Sequence, residues 1–492
     1  MSLDPLYRWE RRIAALPMPS PLVWSALIAA FLGFGVLMGK ATAGTAGKRS
    51  PVMLVAATSQ PGAGTGSGAA TPPSPATAEK TPEAESEPKS SSAGASGESS
   101  NSESSSSSSS ATNSEQSSEE SKEKPASKTS TQLPAIKHVF VVMLSDQPYA
   151  TAFGPASEAH YLTGTLEKQG TMLERYYGVA QAGLAGTIGL LSGQGPTEAT
   201  AANCPTYTNL ASTGTGPNGQ VLGQGCVYPS STGTLPGQMA AKKLTWKAYV
   251  EGIDEGGSTP AACAHPALGA GDPSAAAAGL GTTGPQPLAQ EQSSSAGYQT
   301  WRNPFVYFQG ITASASCAAN DVGMSALKGD LSSEWKTASF SYIAPGPCVD
   351  GSPTACAPGK AAGMTPADGF LKSVIPEILA SAAYKKNGLL AITVDAAPSA
   401  GEWADSSSCC GQPTFPNLPA PTGAAKLAPA GGGEVGMLLL SPFIKKGGSL
   451  VQSTYNHFSL LASVEQLFGL SKLGYAGLSE VKPLAASLFS AG

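Results

Sequence analysis

The sequence predicts a doubly wound α/β domain with a mainly parallel sheet flanked by helices. Three near-continuous apolar runs are typical of strands buried on both faces: IKHVFVVML at 136–144, LLAITVD at 389–395 and VGMLLLSP at 435–442. The segment HFSLLASVEQLFGL at 457–470 has the period of an amphipathic helix. Buried strands that alternate with helices indicate this fold class.

The other elements follow in order. A short helical stretch is expected at 161–170, after the first strand, and a longer helix at 369–384, before the second. Residues 197–360 are rich in Gly, Pro and cysteine, so we expect loop-rich insertions that cap the active face of the sheet. Ligands of doubly wound folds lie beyond the carboxyl ends of the strands. Asp146 and Asp395 both fall there, which predicts a shared site.

Composition excludes one class of partner. The 492 residues carry a formal charge of −5 and a sequence pI of about 5.5. A nucleic-acid binder would normally show a basic field, so no nucleic-acid partner is expected.

The N-terminal region predicts a membrane tether. Residues 22–39 contain no charge and are long enough to cross a bilayer as a helix. A cleaved signal peptide is the alternative, with a small-x-small site at 41–43, but apolar cores of signal peptides usually span about 7–15 residues. We therefore expect a cytoplasmic segment at 1–21, a signal anchor at 22–39 and a single-pass protein of the cell membrane. The protein would be secreted if the anchor were cleaved.

A Ser-, Gly- and Pro-rich stretch follows the anchor. Residues 58–131 lack Trp, Phe, Tyr, Ile and Val, so they cannot bury enough apolar surface to offset the entropy of ordering. We expect a disordered linker at 40–131 and an extracytoplasmic domain at 132–492.

The cysteines support an oxidising compartment. All eight lie after residue 200, as expected for disulfides in an exported domain. Cys348 and Cys356 are close enough to close one loop, whereas the adjacent Cys409 and Cys410 are expected to bond to two different partners. A cysteine-based metal site is less favoured because no CxxC pair occurs.

Further segments appear in a fixed order between residues 136 and 475. They include IKHVFVVMLSDQPYATAFG, YYGVAQAGLAGTIGLLSGQGPT, WRNPFVYF, FSYIAPGPCVD, VIPEILASAAYKKNGLLAITVDAAP and GGGEVGMLLLSPFIKKG. This succession resembles the phosphoesterase family of bacterial and fungal acid phosphatases and phospholipases C, within the alkaline phosphatase superfamily. The resemblance implies a hydrolase of phosphoric esters, which uses a Ser or Thr at a helix N-terminus and one or two metal ions.

The resemblance places the nucleophile on Gly183. A glycine has no side chain, so no phosphoenzyme can form at this position. The family's Glu-Asn pair falls on Ser145 and Asp146, and its second metal pair falls on Asp395 and Ala396. One carboxylate of each pair therefore remains.

The resemblance also implies a reduced set of ligands. Two histidines of the family fall on Arg302 and Ser352, while Asp350 and His457 remain. Asp146, Asp350, Asp395 and His457 are therefore the predicted ligands of one divalent ion, which would be Ca, Mg, Mn or Zn. Arg302 is the predicted phosphate-binding cation, and a metal-activated water would replace the missing serine.

Structural roles remain open for the same residues. Asp146 and Asp350 would also suit turns, His457 would also suit the first turn of a helix capped by Asn456, and Arg302 would also suit a structural cation. We expect the aromatic rings of Trp246, Trp301 and Trp335 to lie in the core.

Two functions compete. The first is a membrane-anchored extracytoplasmic protein that binds a phosphate ester or phospholipid headgroup, and hydrolyses it if a remodelled single-metal site suffices. The second is a catalytically inactive binding or structural ectodomain at the cell surface.

Overall fold

The structure is a computed structural model that describes residues 133–254, 262–272, 297–420, 430–446 and 453–489. The predicted anchor at 22–39 and linker at 40–131 lie outside these residues. Within them, every helix is too short or too polar to traverse a lipid bilayer.

The described strands form one large sheet and two small ones. The strands are β1 His138–Leu144, β2 Thr171–Leu173, β3 Tyr176–Tyr177, β4 Ala211–Thr215, β5 Val221–Gln224, β6 Trp246–Val250, β7 Asp321–Val322, β8 Phe340–Ala344, β9 Gly388–Val394, β10 Met437–Leu440 and β11 Tyr455–Asn456. The large sheet has seven strands in the order β2-β10-β9-β1-β8-β6-β7. The small sheets pair β11 with β3 and β4 with β5.

Helices connect the strands. The longer ones are α1 Gly183–Ser192, α2 Leu235–Ala241, α3 Met364–Ala380, α4 Ala382–Asn387 and α5 His457–Leu467. Short helical turns are Tyr149–Ala152, Leu162–Leu166, Glu167–Gln169, Glu198–Ala201, Pro217–Gly219, Thr300–Arg302, Pro304–Tyr307, Gln309–Thr312, Cys317–Asn320, Met324–Ala326, Leu327–Asp330, Gly474–Gly477 and Ala486–Leu488.

The fold prediction is confirmed. The central strand β1 pairs in parallel with β8 and β9, and every residue of β1 and β9 is buried, as their apolar sequences require. The predicted third strand is β10, which runs antiparallel to both β9 and β2. An apolar run in the sequence predicts that a strand is buried on both faces. It does not indicate whether the strand is parallel or antiparallel to its neighbours.

The helix predictions hold in part. The stretch at 161–170 forms only a π-helical turn, Leu162–Leu166, and a 3-10 turn, Glu167–Gln169. The helix expected at 369–384 begins earlier, in α3, and is interrupted at Ser381, whose hydroxyl caps α4 by accepting a hydrogen bond from the amide of Tyr384.

Four disulfides fix the loops of the domain. They join Cys204 to Cys226, Cys263 to Cys317, Cys348 to Cys356, and Cys409 to Cys410. The predicted loop closure by Cys348 and Cys356 is confirmed. The expectation for the adjacent cysteines is wrong, because the other six pair among themselves and no free cysteine remains.

Two of the three tryptophans that were expected in the core are buried, and the third is exposed. Trp246 and Trp301 are buried, as expected, whereas Trp335 is 82% exposed. The prediction for Trp335 is wrong because this residue lies in the turn before β8, outside the sheet.

Candidate functional site

The carboxyl ends of β1 and β9 meet at one edge of the sheet. The two strands are paired in register up to Leu144 and Val394, so the residues that follow them lie side by side. The hydroxyl of Ser145 donates to Asp395 Oδ2 at 2.8 Å, and the amide of Asp146 donates to Asp395 Oδ1 at 3.1 Å. The structure therefore brings together the two acids that the strand pattern predicted at a shared site.

A cavity of about 540 Å³ opens at this edge. The loop at 347–359, which the Cys348–Cys356 disulfide closes, forms one wall. This loop contributes Asp350, and the polar side chains of the remaining wall are Ser145, Asp146, Gln181, Asn203, Gln299, Arg302 and Asp395. All the predicted acids of the site line this cavity, whereas His457 lies outside its lining.

Helix α1 begins at the cavity with Gly183, and the space beside this glycine is filled. A Cβ atom at Gly183 would lie 2.3 Å from Asp395 Oδ2 and 2.8 Å from Trp301 Cζ3. Both distances are far below van der Waals contact, so no side chain fits there while Asp395 keeps its position. The carboxylate of Asp395 thus occupies the place where a serine at position 183 would extend.

The nearest threonine of α1 does not substitute for the missing serine. Thr187 is buried one turn deeper, and its hydroxyl donates to the carbonyls of Gly183 and Leu184, at 2.9 and 3.1 Å. The hydroxyl closest to the acids belongs instead to Ser145.

Asp395 is buried and held by three donors. Besides the Ser145 hydroxyl and the Asp146 amide, the amide of Ala396 donates to Oδ1 at 2.6 Å. Burial raises the pKa of Asp395, while Arg302 and these hydrogen bonds oppose the rise. Donors to a carboxylate favour its charged form.

Arg302 provides the positive charge of the site. Its guanidinium contacts Asp350 Oδ2, and the two side chains are only 5% and 2% exposed. The Arg302 Nε donates to Gln299 Oε1 at 3.0 Å, and the guanidinium lies 4.6 Å from the ring centre of Trp301. Burial raises the pKa of Asp350, and Arg302 opposes this rise. Arg302 therefore makes structural contacts in this site, and its role in binding phosphate stays a prediction.

His457 lies outside the cavity lining and contacts the backbone of Asp395, which lines the cavity. Its Nε2 lies 2.8 Å from the backbone oxygen of Asp395 and its Nδ1 lies 2.9 Å from the Tyr176 hydroxyl. A carbonyl only accepts, so Nε2 carries the proton and Nδ1 accepts from Tyr176. Burial lowers the pKa of His457 to about 4, which keeps the ring neutral. The Asn456 side chain caps α5, as predicted.

Asp146 is the most accessible of the acids. Its backbone adopts φ = 56°, which is uncommon for a residue other than glycine and is tolerated best by Asp and Asn. Burial raises the pKa of Asp146 to about 6, Asp395 adds to the rise and Arg302 opposes it. Asp146 therefore changes charge near neutral pH.

Two residues with hydrogen-bond donors, Asn203 and Trp301, line the cavity and were not identified from the sequence as site residues. Asn203 Oδ1 accepts from the amide of Leu184 at the start of α1, at 3.1 Å, while its Nδ2 has no partner among the residues that the structure describes. The indole Nε1 of Trp301 also lacks one. Both residues are buried and line the cavity. Neither stands at a spacing that links it to Gly183, so sequence reasoning missed them.

The profile of a known protein family matches most of the domain. The profile of the Phosphoesterase family matches residues 142–471, which cover more than half of the chain and include every predicted site residue. This chain belongs to the Phosphoesterase family. No curated protein sequence gives a significant match.

Solved structures of the alkaline phosphatase superfamily resemble this phosphoesterase-family domain. A superfamily protein from Vibrio parahaemolyticus is 12% identical, with 72% of each chain covered and a TM-score of 0.38. The lipoteichoic acid synthase LtaP from Listeria monocytogenes is 9% identical, with 74% of this chain and 80% of that chain covered and a TM-score of 0.38. A phosphonate monoester hydrolase from Silicibacter pomeroyi is 11% identical, with 68% and 74% covered and a TM-score of 0.32. These similarities are too remote to assign an activity.

The phosphoesterase-family site does not present a set of ligands that fits a divalent ion. Enzymes of the superfamily typically use such ions. Here the oxygens of Asp395 and Asp350 already accept from protein donors, and both nitrogens of His457 are engaged. Of the four predicted ligands, only Asp146 keeps a carboxylate with no donor among the described residues.

The described residues offer no better set of metal ligands elsewhere. One group of three acidic, thiol or imidazole side chains has its ligand atoms within 4.8 Å of one another, namely Cys263, Cys317 and Asp321. Its two cysteines form a disulfide, so they cannot act as thiolates.

Proposed function

We propose that this phosphoesterase-family protein binds phosphate esters in the cavity beside Asp146 and Asp395, and does not hydrolyse them through a nucleophile at position 183. The observation that carries the proposal is the Asp395 carboxylate, which lies 2.3 Å from where a Cβ at Gly183 would be. An ester can enter the cavity, but no hydroxyl at position 183 can attack it.

The donors of the cavity support anion binding. Among the described residues, the buried Nδ2 of Asn203 and Nε1 of Trp301 have no hydrogen-bond partner, and Asn203, Trp301 and Arg302 all line the cavity. Helix α1 also begins at the cavity, with Gly183, and the positive end of a helix dipole favours negative charge.

The acids of the cavity limit the charge of the ligand. Arg302 and Asp350 compensate each other, so Asp146 and Asp395 leave the cavity negative when they are ionised. A monoanion therefore fits better than a dianion, since each further negative charge is repelled by the carboxylates. We expect phosphodiesters to bind more tightly than monoesters at neutral pH.

Export and anchoring are part of the proposal. The pairing of all eight cysteines supports a domain that folds in an oxidising compartment. We retain the apolar run at 22–39 as the proposed membrane anchor, with the domain outside the cytoplasm. Protease accessibility in intact cells tests this topology.

The activity is tested with p-nitrophenyl phosphate and bis-p-nitrophenyl phosphate, in the presence of Ca²⁺, Mg²⁺, Mn²⁺ or Zn²⁺. We expect binding in calorimetry without release of p-nitrophenol. Turnover that survives purification and disappears in Asp395→Ala would instead establish a hydrolase.

Ser145 is the basis of a second candidate function. Its hydroxyl donates to Asp395 Oδ2 at 2.8 Å, an arrangement in which a carboxylate can accept the proton of an attacking hydroxyl. The Ser145 oxygen would bond to phosphorus as the bond to the leaving oxygen breaks. Loss of turnover in Ser145→Ala, with unchanged turnover in Thr187→Val, would identify this route.

Affinity for a phosphodiester is expected to depend on Asp146. An anionic ligand disfavours the ionised carboxylate, so the affinity for bis-p-nitrophenyl phosphate should rise as the pH falls through about 6, the folded-state pKa of Asp146. The increase should reach about tenfold if binding raises this pKa by one unit. The ligand itself stays monoanionic in this range. Calorimetry between mildly acidic and mildly alkaline pH measures the change.

The matched control is Asp146→Asn, which tolerates the positive φ and cannot titrate. We expect its affinity to vary much less across the same range. A wild-type affinity that falls on acidification would contradict the assigned role of Asp146.

Ester binding is expected to be independent of divalent ions. The groups that contact Asp350, Asp395 and His457 leave few positions for a metal ion. A bound ion at about 100 times its Kd would stabilise the fold by about 2.7 kcal/mol. Thermal unfolding with EDTA and with each ion should show no such difference, and elemental analysis should find no stoichiometric metal. A stoichiometric ion whose removal abolishes ester binding would restore the metal site predicted from the family resemblance.

A further inference from the structure

The edge of the sheet opposite the cavity carries an exposed tryptophan. Trp335 is the most exposed large hydrophobic side chain among the described residues, at 82%. Its ring lies 5.4 Å from the Nζ of Lys336. A single exposed apolar residue is ordinary, so the surroundings of Trp335 decide whether it marks a surface with a function.

Those surroundings are the starting ends of three parallel strands. The amide of Val139, in β1, donates to Ser339 just before β8, and the amide of Lys137 donates to Asn387 just before β9. The ion pair between Glu334 and Lys386, at 2.8 Å, joins the turn of Trp335 to α4. Trp335 therefore belongs to the edge at which β1, β8 and β9 begin.

Lysines are concentrated along this edge. Because β10 runs antiparallel to β9, its end lies beside the start of β9, where the Ser441 hydroxyl donates to the carbonyl of Gly388. The exposed lysines at the ends of the four adjacent strands are Lys137, Lys336, Lys385, Lys386, Lys445 and Lys446. We call these six lysines and Trp335 the basic edge. At about 4.8 Å per strand, four strands span about 15 Å.

Few acids face these lysines. Glu334 is paired with Lys386, and Glu377, in the last turn of α3, lies 3.9 Å from Lys328. The opposite edge, by contrast, carries Asp146, Asp350 and Asp395. Positive charge is thus separated from negative charge across the domain, although the chain as a whole has a formal charge of −5.

The preceding chain enters at the same edge. The described part begins at Leu133 and reaches β1 at His138, so residues 1–132 join the domain beside Lys137. Those residues include the apolar run at 22–39. If this run lies in a membrane, the domain is joined to it through a chain that enters the described residues at the basic edge.

We propose that the basic edge docks on an anionic lipid surface, with the indole of Trp335 in the headgroup region. Lysines near such a surface are attracted by its negative potential, and tryptophan suits the boundary between headgroups and water. Docking in this orientation turns the cavity away from the bilayer. The ester that enters it then comes from the solution or from another molecule, and not from the bilayer on which the domain rests.

Tryptophan quenching by brominated lipid tests the proposal on the full chain. The vesicles contain brominated phosphatidylcholine alone, or phosphatidylcholine with about one third brominated phosphatidylglycerol. Subtracting the quenching of Trp335→Phe from that of the wild type isolates Trp335, because Trp24 in the apolar run is common to both. We expect Trp335-specific quenching with phosphatidylglycerol, and a severalfold decrease in the variant Lys137→Gln with Lys385→Gln.

Two controls keep the result specific. Trp403 is 44% exposed and lies in the loop after β9, near the carboxyl edge, so Trp403→Phe should leave the quenching unchanged. Lys360→Gln, just after the wall loop of the cavity, should also have no effect. The proposal is overturned if Trp335 is not quenched, if it is quenched equally by brominated phosphatidylcholine, or if soluble polyphosphate shifts Trp335 emission while vesicles do not. The last outcome would assign the basic edge to an anionic polymer.

Discussion

Replacing Arg302 with methionine is expected to lower the free energy of unfolding by about 3–5 kcal/mol, the usual cost of breaking a buried ion pair. The substitution keeps most of the side-chain volume but leaves Asp350 buried without its cation. It also removes the charge that opposes the raised pKa values of Asp146 and Asp395. Chemical denaturation measures the loss of stability, and calorimetry with bis-p-nitrophenyl phosphate should show that binding is abolished.

The pH dependence of this variant has a defined sign. Burial already raises the pKa of Asp350 above its ordinary value, and loss of Arg302 raises it further. An acid with a raised folded-state pKa costs stability as the pH climbs above its unfolded value, so the deficit of Arg302→Met should grow from acidic to neutral pH.

A second substitution separates charge from packing. Adding Asp350→Asn to Arg302→Met removes the uncompensated carboxylate, so the double variant should regain much of the stability but not the binding. A deficit in Arg302→Met below about 1 kcal/mol would mean that the pair behaves like an exposed ion pair.

Replacing Gly183 with serine is expected to destabilise the protein by about 1–3 kcal/mol and to create no phosphatase activity. The new Cβ would lie 2.3 Å from Asp395 Oδ2 and 2.8 Å from Trp301 Cζ3, so both side chains must move. Overpacking of a buried site usually costs this amount. Chemical denaturation and p-nitrophenyl phosphate assays measure the two effects.

The control for this serine is Gly164→Ser. Gly164 also lies in a helical turn, but nothing stands within 4 Å of its added Cβ, so we expect no loss of stability. Combining Gly183→Ser with Asp395→Ala should recover part of the stability, since the closest contact is removed. If Gly183→Ser alone is as stable as the wild type, the Asp395 side chain can move at little cost in free energy. That result would weaken the proposed function.

Much of the fold could be predicted, because strands that are buried on both faces appear in the sequence as apolar runs. The apolar residues of β1 and β9 have no polar alternation, which only a strand covered on both faces allows. The positions of Asp146 and Asp395 followed from the strand ends. The antiparallel direction of β10 could not be predicted, because an apolar run does not indicate the direction of a strand. The exposure of Trp335 could not be predicted either, because the hydrophobicity of a residue in a turn does not determine whether it is buried.

The site was predictable only in outline. The resemblance located Gly183, Asp350 and Arg302, and the structure places all of them at the cavity. It could not show that the Asp395 carboxylate fills the space beside Gly183, since this depends on how the end of β9 meets the start of α1. Nor could it show that both nitrogens of His457 are engaged by Tyr176 and by the Asp395 backbone. Such contacts arise from tertiary packing between segments distant in the chain.

The contact between Gly183 and Asp395 also restricts how this protein can evolve. A lineage in which serine arose at position 183 would acquire a clash before it acquired a catalyst, because the Asp395 carboxylate must first withdraw from the space beside this position. Withdrawal of the carboxylate, in turn, would break its hydrogen bonds with Ser145, Asp146 and Ala396. Each single step is therefore expected to cost stability alone, so glycine at position 183 and the carboxylate of Asp395 constrain each other.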